Sequence, residues 1–312
     1  MWRFWRMWTI LAFISALCLG FYDISKKIAL RENRVVDVLT ISVCISAILL
    51  SIPLWLSRLC PEMMTDTPFY VPRLDLEAHL YTILKSVIVL SSWIFAYVSL
   101  KHLPLSVVSP MQATRPMWTL VGALLIFGER LNTWQWVGVV LAIGTIFAFS
   151  FRNRSTLKEQ TSGANHKYYI ALVLAILIGA CSGLYDKYLM RRYDHNAVQV
   201  YYTFYQALMM LIVWVVVNRK HLQSPISHLQ SIRRIGIIAL ISIFLIISDN
   251  VYMLALRDPD SLIAVVSTIR RGGAVIGFAY GLIFLKEPDP WRKVLCMVGI
   301  LTGLICLAIG SL

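Results

Sequence analysis

Residues 261–290, SLIAVVSTIRRGGAVIGFAYGLIFLKEPDP, decide how the rest of the chain is interpreted. The stretch contains an apolar run long enough to span a bilayer as an α-helix. Arg270 and Arg271 nevertheless lie about 13 Å into it, near the middle of a hydrocarbon core about 30 Å thick. Insertion of each arginine at that depth costs about 2.5–3.5 kcal/mol. Charged residues at such a cost are typical of functional sites. The alternative is that both arginines are paired with buried carboxylates and only hold helices together.

Three glycines follow the arginine pair at a spacing of four residues, at positions 273, 277 and 281. This spacing places Gly273, Gly277 and Gly281 on one helix face, where a second helix can approach closely. We therefore expect this stretch to pack tightly against a neighbouring span.

The composition is that of a helical membrane protein. Of the 312 residues, 58% are hydrophobic and 14% are charged, with a mean hydropathy of +0.71. A β-barrel is excluded because the apolar stretches are continuous instead of alternating. The net charge of +13 is concentrated in short connections, which favours contact with lipid headgroups over nucleic-acid binding.

The sequence shows no pattern typical of a metal site, a cofactor site or an enzyme. The six cysteines include no CxxC pair, and the six histidines are scattered without ligand spacing. A Walker-type phosphate loop is absent, and no catalytic triad order stands out. We therefore expect no metal, no cofactor and no enzymatic activity.

Apolar stretches predict an all-α polytopic fold with ten transmembrane helices. A polar linker, residues 152–167, separates a first unit, 1–151, from a second, 168–312. The predicted helices are 7–24, 35–56, 80–100, 105–127, 134–151, 168–189, 197–217, 235–256, 261–290 and 291–312.

Short motifs of the first unit recur in the second. GFYD at 20–23 matches GLYD at 183–186, and VVS occurs at both 107–109 and 265–267. Glu129 and Glu287 likewise end the fourth and ninth predicted helices. Because each unit has five spans, an odd number, the second must enter the membrane from the opposite side. Such inverted five-helix repeats are typical of secondary transporters with a midplane site.

These features resemble the drug/metabolite transporter superfamily, with the layout of EamA-like transporters. The resemblance implies alternating access through a central cavity, with helices 5 and 10 at the periphery. The ninth helix is similar to that of the triose-phosphate and nucleotide-sugar branch, where a basic pair faces a phosphorylated sugar; here that pair is Arg270 and Arg271. The branch often has a basic residue in helix 4 where this chain has Gln112, with Arg115 one turn later.

Three carboxylates lie in or beside predicted spans, and each could pair with a base or carry a coupling proton. Pairing predicts Lys26 or Lys27 for Asp23, Arg270 or Arg271 for Asp186, and Arg115 for Asp249. In an empty cavity Asp249 could instead pair with Arg270 or Arg271. Proton coupling is the alternative.

Two repeated tyrosines complete the candidate site. Tyr22 and Tyr185 could hydrogen-bond a substrate or lie at the membrane interface. The candidate substrate-binding residues are Tyr22, Gln112, Arg115, Tyr185, Asp249, Arg270 and Arg271; the candidate coupling or ion-pair residues are Asp23, Lys27 and Asp186.

The function predicted from these residues is secondary transport of a small, polar, anionic metabolite. The alternatives are export of cationic drugs or amino acids, and flipping of a phosphorylated lipid carrier. We expect a small-molecule substrate and the lipid bilayer as partners and no nucleic acid; helices 5 and 10 could also pair two copies in a homodimer.

A bacterial inner membrane is the predicted location, with both termini on one side. The superfamily resemblance implies that this side is the cytosol, whereas the distribution of Lys and Arg favours the opposite orientation.

Overall fold

The computed structural model describes residues 7–30, 33–102, 111, 114–152, 166–218, 232–283 and 290–310. Within these ranges the regular structure is helical. Twelve helices are described: α1 Met7–Leu30, α2 Val35–Leu59, α3 Pro61–Met64, α4 Leu76–His102, α5 Arg115–Ile126, α6 Thr133–Arg152, α7 His166–Met190, α8 His195–Asn218, α9 Ile232–Arg257, α10 Ile263–Arg271, α11 Ala274–Ile283 and α12 Pro290–Gly310.

Six of the described helices are long and apolar enough to cross a bilayer, namely α1, α2, α4, α7, α8 and α9. Within α5 and α12, Arg115–Ile126 and Met297–Gly310 form shorter apolar helices. Exposed Leu, Ile, Val and Trp side chains cover much of the outer surface. This distribution suits a protein whose outer faces contact lipid, because lipid tails are as apolar as these side chains.

The sequence predicted one continuous helix for the ninth span, but the structure shows an interruption. The span breaks at Gly272 and Gly273 into α10 and α11. The two glycines form a turn in which Gly273 donates its N–H to the carbonyl of Arg270 at 3.3 Å. Interrupted helices are tolerated at membrane depth where protein or a cavity surrounds the freed backbone. The break directly follows Arg270 and Arg271, which also need polar surroundings at this depth.

The predicted helix 4 is described only in part. Met111 and α5 fall within it, whereas residues 103–110 and 112–113, including Gln112, lie outside the described residues. Most of the polar linker, residues 153–165, also lies outside them. The connection after α2 contains the short helix α3, which the sequence did not predict.

Each half of the chain packs mainly against the other half. The helix pairs with extensive contact are α1 with α9, α4 with α7, α6 with α12, and α2 with α8. Buried hydroxyl groups join two of these pairs: Ser15 on α1 donates to the carbonyl of Ser248 on α9 at 2.8 Å, and Ser92 on α4 donates to the carbonyl of Ala175 on α7 at 2.9 Å. The largest apolar core forms where α1, α5, α7, α9 and α10 meet.

Candidate functional site

Charged side chains from six helices meet among α1, α4, α5, α7, α9 and α10. We call this set the central cluster; its members interact electrostatically with one another and include Asp23, Lys26, Lys85, Arg115, Asp186, Asp249, Arg270 and Arg271. Three tyrosines lie against them: Tyr22, Tyr202 and Tyr252. The cluster therefore brings together most of the residues that the sequence singled out.

Arg270 is held by α9 on two sides of its guanidinium group. It forms an ion pair with Asp249 and donates to Ser248 Oγ at 3.4 Å. Its guanidinium carbon lies 4.2 Å from the centre of the Tyr252 ring, a distance typical of a cation–π contact. Arg270 Nε is buried without a hydrogen-bond partner. Asp249 therefore pairs with Arg270, one of the partners that the sequence offered for an empty site, and not with Arg115.

Asp186 pairs with Lys85. The predicted pairing of Asp186 with Arg270 or Arg271 is therefore wrong. Lys85 is 3% exposed, and its ammonium also lies 4.6 Å from the centre of the Tyr202 ring. The sequence reasoning missed Lys85 although it is a single lysine inside the third predicted span. The signal was the one used for the arginines, because a lysine within a span also needs a partner.

Arg115 and Arg271 have different surroundings. Arg115 begins α5 and donates to the backbone carbonyl of Gly179 on α7. Arg271 is exposed and interacts electrostatically with Asp23, which is also exposed. Among the described arginines of the cluster, Arg271 is thus the most exposed residue.

The two repeated tyrosines occupy different surroundings. Tyr22 is buried beside Lys26, whose ammonium lies 5.4 Å from the ring centre. Tyr185 instead stacks on Tyr188 and donates its hydroxyl to the carbonyl of Tyr81 at 3.2 Å, so this donor is used by α4. Of the two predicted partners of Asp23, Lys26 interacts with it electrostatically, whereas the side chain of Lys27 lies outside what is described.

The described charges of the central cluster do not balance. Five cations, from Lys26, Lys85, Arg115, Arg270 and Arg271, face three carboxylates, from Asp23, Asp186 and Asp249. An excess of two positive charges in a partly desolvated place favours binding of an anion.

Close packing and two polar contacts position α10, which carries the arginine pair. A Cβ atom at Gly273 would lie 2.5 Å from the carbonyl oxygen of Ala16, so only glycine allows this approach to α1. Glu129 accepts the backbone N–H groups of Ile263 at 2.6 Å and Ala264 at 3.1 Å. This carboxylate caps the start of α10, which agrees with a structural role. Gly277 and Gly281 lie in α11, but their burial is not among the described properties, and Glu287 lies outside the described residues.

A fully buried lysine that the sequence reasoning also passed over holds the connection before α10. Lys187 donates to the carbonyl of Ser261 at 2.6 Å and to that of Asp258 at 3.3 Å. These contacts satisfy the ammonium with protein oxygens, so Lys187 serves the backbone of the α9–α10 connection.

Comparison with known proteins agrees with this architecture. Residues 6–151 match the EamA-like transporter family. No curated protein matches the sequence. A solved structure entitled "Crystal structure of protein" is similar with a TM-score of 0.73 and 12% identity, over 97% of this chain and 96% of that one. At this identity the likeness shows the fold alone. The chain is therefore an integral, multi-pass membrane protein whose residues 6–151 are similar to EamA-like transporters.

Proposed function

We propose that the protein is a secondary transporter for a small anionic metabolite, such as a phosphorylated or carboxylated compound. The observation that carries this proposal is the cationic excess of the central cluster. Arg270 and Lys85 are each neutralised by a carboxylate, whereas Arg271 is exposed. A substrate anion can meet Arg271 in the planar, bidentate geometry that guanidinium groups provide.

Alternating access through an inverted repeat is part of the same proposal. In the order of the two halves, α1 corresponds to α7, α2 to α8, α4 to α9 and α6 to α12. The contact of α1 with α9 therefore has its equivalent in the contact of α7 with α4, and the α2–α8 and α6–α12 contacts each join two equivalent helices. This pattern supports two five-helix units related by an axis in the membrane plane. The packing of α6 on α12 also supports their peripheral placement, away from the cluster.

Counterflow into proteoliposomes tests the function. Vesicles preloaded with inorganic phosphate, a sugar phosphate or a dicarboxylate are mixed with a radiolabelled trace of the same anion, and a quaternary ammonium ion serves as the opposing probe. We expect anion counterflow that Arg271→Gln abolishes and that Arg130→Gln, at an exposed arginine in the α5–α6 connection, leaves unchanged. Counterflow of the cation alone would support the drug exporter instead.

One observation favours the lipid-carrier flippase as a second candidate. An apolar cavity of about 670 Å³ lies among α2, α8, α9 and the α2–α4 connection, lined by residues such as Pro53, Val200 and Ile247. Ile52 and Ile247 on its walls are 56% and 42% exposed, so an acyl chain could enter from the bilayer. The described residues that line this cavity carry no charge, so they offer a phosphate headgroup no cation. Flipping of a fluorescent phospholipid by the same proteoliposomes would favour this candidate.

A further inference from the structure

A second group of arginines lines a cavity away from the central cluster. The cavity, of about 540 Å³, lies where the α7–α8 connection meets the end of α9. Its lining includes Arg191, Arg192 and Arg257, together with Tyr193 and Asp194. The three arginines are exposed. We call it the arginine cavity.

Contacts with neighbouring side chains hold the three guanidinium groups in place. Arg192 lies 4.3 Å from the centre of the Tyr188 ring, and Arg191 lies 5.1 Å from that of Phe127. Arg257 pairs with Asp194 at 3.0 Å. Cations are favourable at helix ends such as those of α7 and α9, but that preference does not require three of them to line one cavity. With one carboxylate among the lining residues, the cavity has two positive charges in excess.

The arginine cavity lies beyond the central cluster along the same two helices. Arg191, the residue directly after α7, follows Asp186 by five residues, and Arg257, the last residue of α9, follows Asp249 by eight. At 1.5 Å per residue these separations are about 8 Å and about 12 Å. Apolar side chains of the main core fill the interval, among them Leu189, Met253 and Leu256, each at most 2% exposed.

We propose that the arginine cavity is a second anion site, which binds the phosphate or carboxylate group of the transported compound at the membrane face that this apolar layer closes. This inference rests on the proposed function, because it assigns both cation-rich places to one substrate. Separation of the apolar layer would connect them, and the anion would pass from one set of guanidinium groups to the other without being left in hydrocarbon.

Arginine modification tests the site in purified protein. Phenylglyoxal reacts with accessible guanidinium groups, and mass spectrometry of the peptides measures the rate at each arginine. We expect inorganic phosphate to slow modification of Arg191 and Arg192 at least about threefold, as direct contact with an anion would. The exposed Arg73 and Arg130 serve as controls and should react at unchanged rates.

Transport by the Arg191→Gln/Arg192→Gln variant provides the second measurement. We expect its apparent KM for the anion in counterflow to rise about three- to tenfold with the maximal rate retained, because exposed charge pairs each contribute modestly. The Arg73→Gln/Arg130→Gln variant should keep the wild-type KM.

The outcomes separate this inference from the proposed function. Anion counterflow by the wild type, with unprotected arginines and an unchanged KM in the variant, overturns the second site alone. Protection by vesicles containing phosphatidylglycerol but not by inorganic phosphate also overturns it, since the cavity would then hold a lipid headgroup. Phosphate protection without counterflow of any anion overturns the transport function and, with it, the role of the cavity in transport.

Discussion

At the scale of single residues, the two adjacent arginines of α10 have different tasks. Arg270 is 19% exposed and is committed to Asp249 and Tyr252, whereas Arg271 is exposed. Neighbouring positions on a helix point about 100° apart, so one arginine can hold the structure while the other meets a ligand.

Replacing each arginine should therefore have different effects. Arg270→Ala leaves Asp249 unpaired and should lower the free energy of unfolding by about 1–3 kcal/mol, less than for a fully buried pair. Arg271→Gln should keep wild-type stability and lose anion counterflow, and Arg271→Lys should restore it only in part. Thermal unfolding in detergent and counterflow measure the two effects. Equal loss of stability in both variants would contradict this division of roles, and Arg270→Gln/Asp249→Asn should recover part of the stability.

Asp194, in the connection between α7 and α8, adds a pH-dependent contact. Its carboxylate accepts the N–H groups of Asn196 at 2.9 Å and Ala197 at 3.2 Å, which caps the start of α8. Burial raises the pKa of this carboxyl, but hydrogen bonding and the positive charges of His195 and Arg257 outweigh burial, so the pKa lies below its usual value.

Because the pKa of Asp194 is lower in the folded protein, its stabilisation is present above the unfolded value, about 3.9, and is lost as the pH falls through the folded value. Asp194→Asn should lower the melting temperature at about pH 6, and the difference from wild type should shrink below about pH 4. Melting curves across this range test the prediction. Asp66→Asn, at an exposed residue, should show no such difference, and a pH-independent effect of Asp194→Asn would exclude the charge as its cause.

At the scale of helices, the break between α10 and α11 is the main local feature. Two consecutive glycines turn the chain there, and Gly273 lies against the backbone of α1 at Ala16 and Gly20. The break places the end of α10, with both arginines, beside α1 and α9 in the central cluster. A straight helix of ordinary residues would hold α1 further away, because side chains would separate the two backbones.

A single added methyl group should disturb this contact. In Gly273→Ala the Cβ would lie 2.5 Å from the Ala16 oxygen and 3.2 Å from the Gly20 nitrogen, which should cost about 1–3 kcal/mol. Gly144→Ala in α6 is the matched control, since no described atom outside its own helix turn lies within 4 Å of its added Cβ. The control should be neutral or more stable by about 0.5–1 kcal/mol. Thermal unfolding of both variants in detergent decides, and equal stability would show that α1 and α10 are not tightly packed.

At the scale of the whole molecule, contacts between the two halves build the site. α9 and α10 from the second half supply Asp249 and both arginines, α1 and α4 from the first supply Asp23 and Lys85, and neither half alone contains both pairs of partners. A movement of one half against the other would change the Lys85–Asp186 ion pair, which joins the two halves, as the proposed alternating access would require.

Cross-linking can test the equivalent packing of α1 on α9 and of α4 on α7. In a cysteine-free background, Ser15→Cys/Ser248→Cys should join α1 to α9, because the two hydroxyl oxygens lie 3.1 Å apart. Ser92→Cys/Ala175→Cys should join α4 to α7. The mixed pair Ser15→Cys/Ala175→Cys should stay unlinked under copper phenanthroline. Failure of one of the first two pairs would contradict the paired packing. Protease access to a tag at each terminus should show both on one side if the chain has the ten spans that the sequence predicts.

The membrane class could be recognised from the sequence alone, because long apolar runs need no tertiary information. The same holds for Asp23, Arg270 and Arg271 as candidate site residues, since a charge within a span is costly wherever it points. Lys85 was within reach of the same argument and was overlooked.

Only the tertiary structure decided which charges pair. Asp249 takes Arg270 and Asp186 takes Lys85, and these partners are 21 and 101 residues apart along the chain. Local spacing predicts contacts along one helix, every three or four residues, but it contains nothing about which face of a distant helix comes within reach. The break at Gly272 and Gly273 was likewise hidden, because the same glycines fit a continuous helix packed through one face equally well.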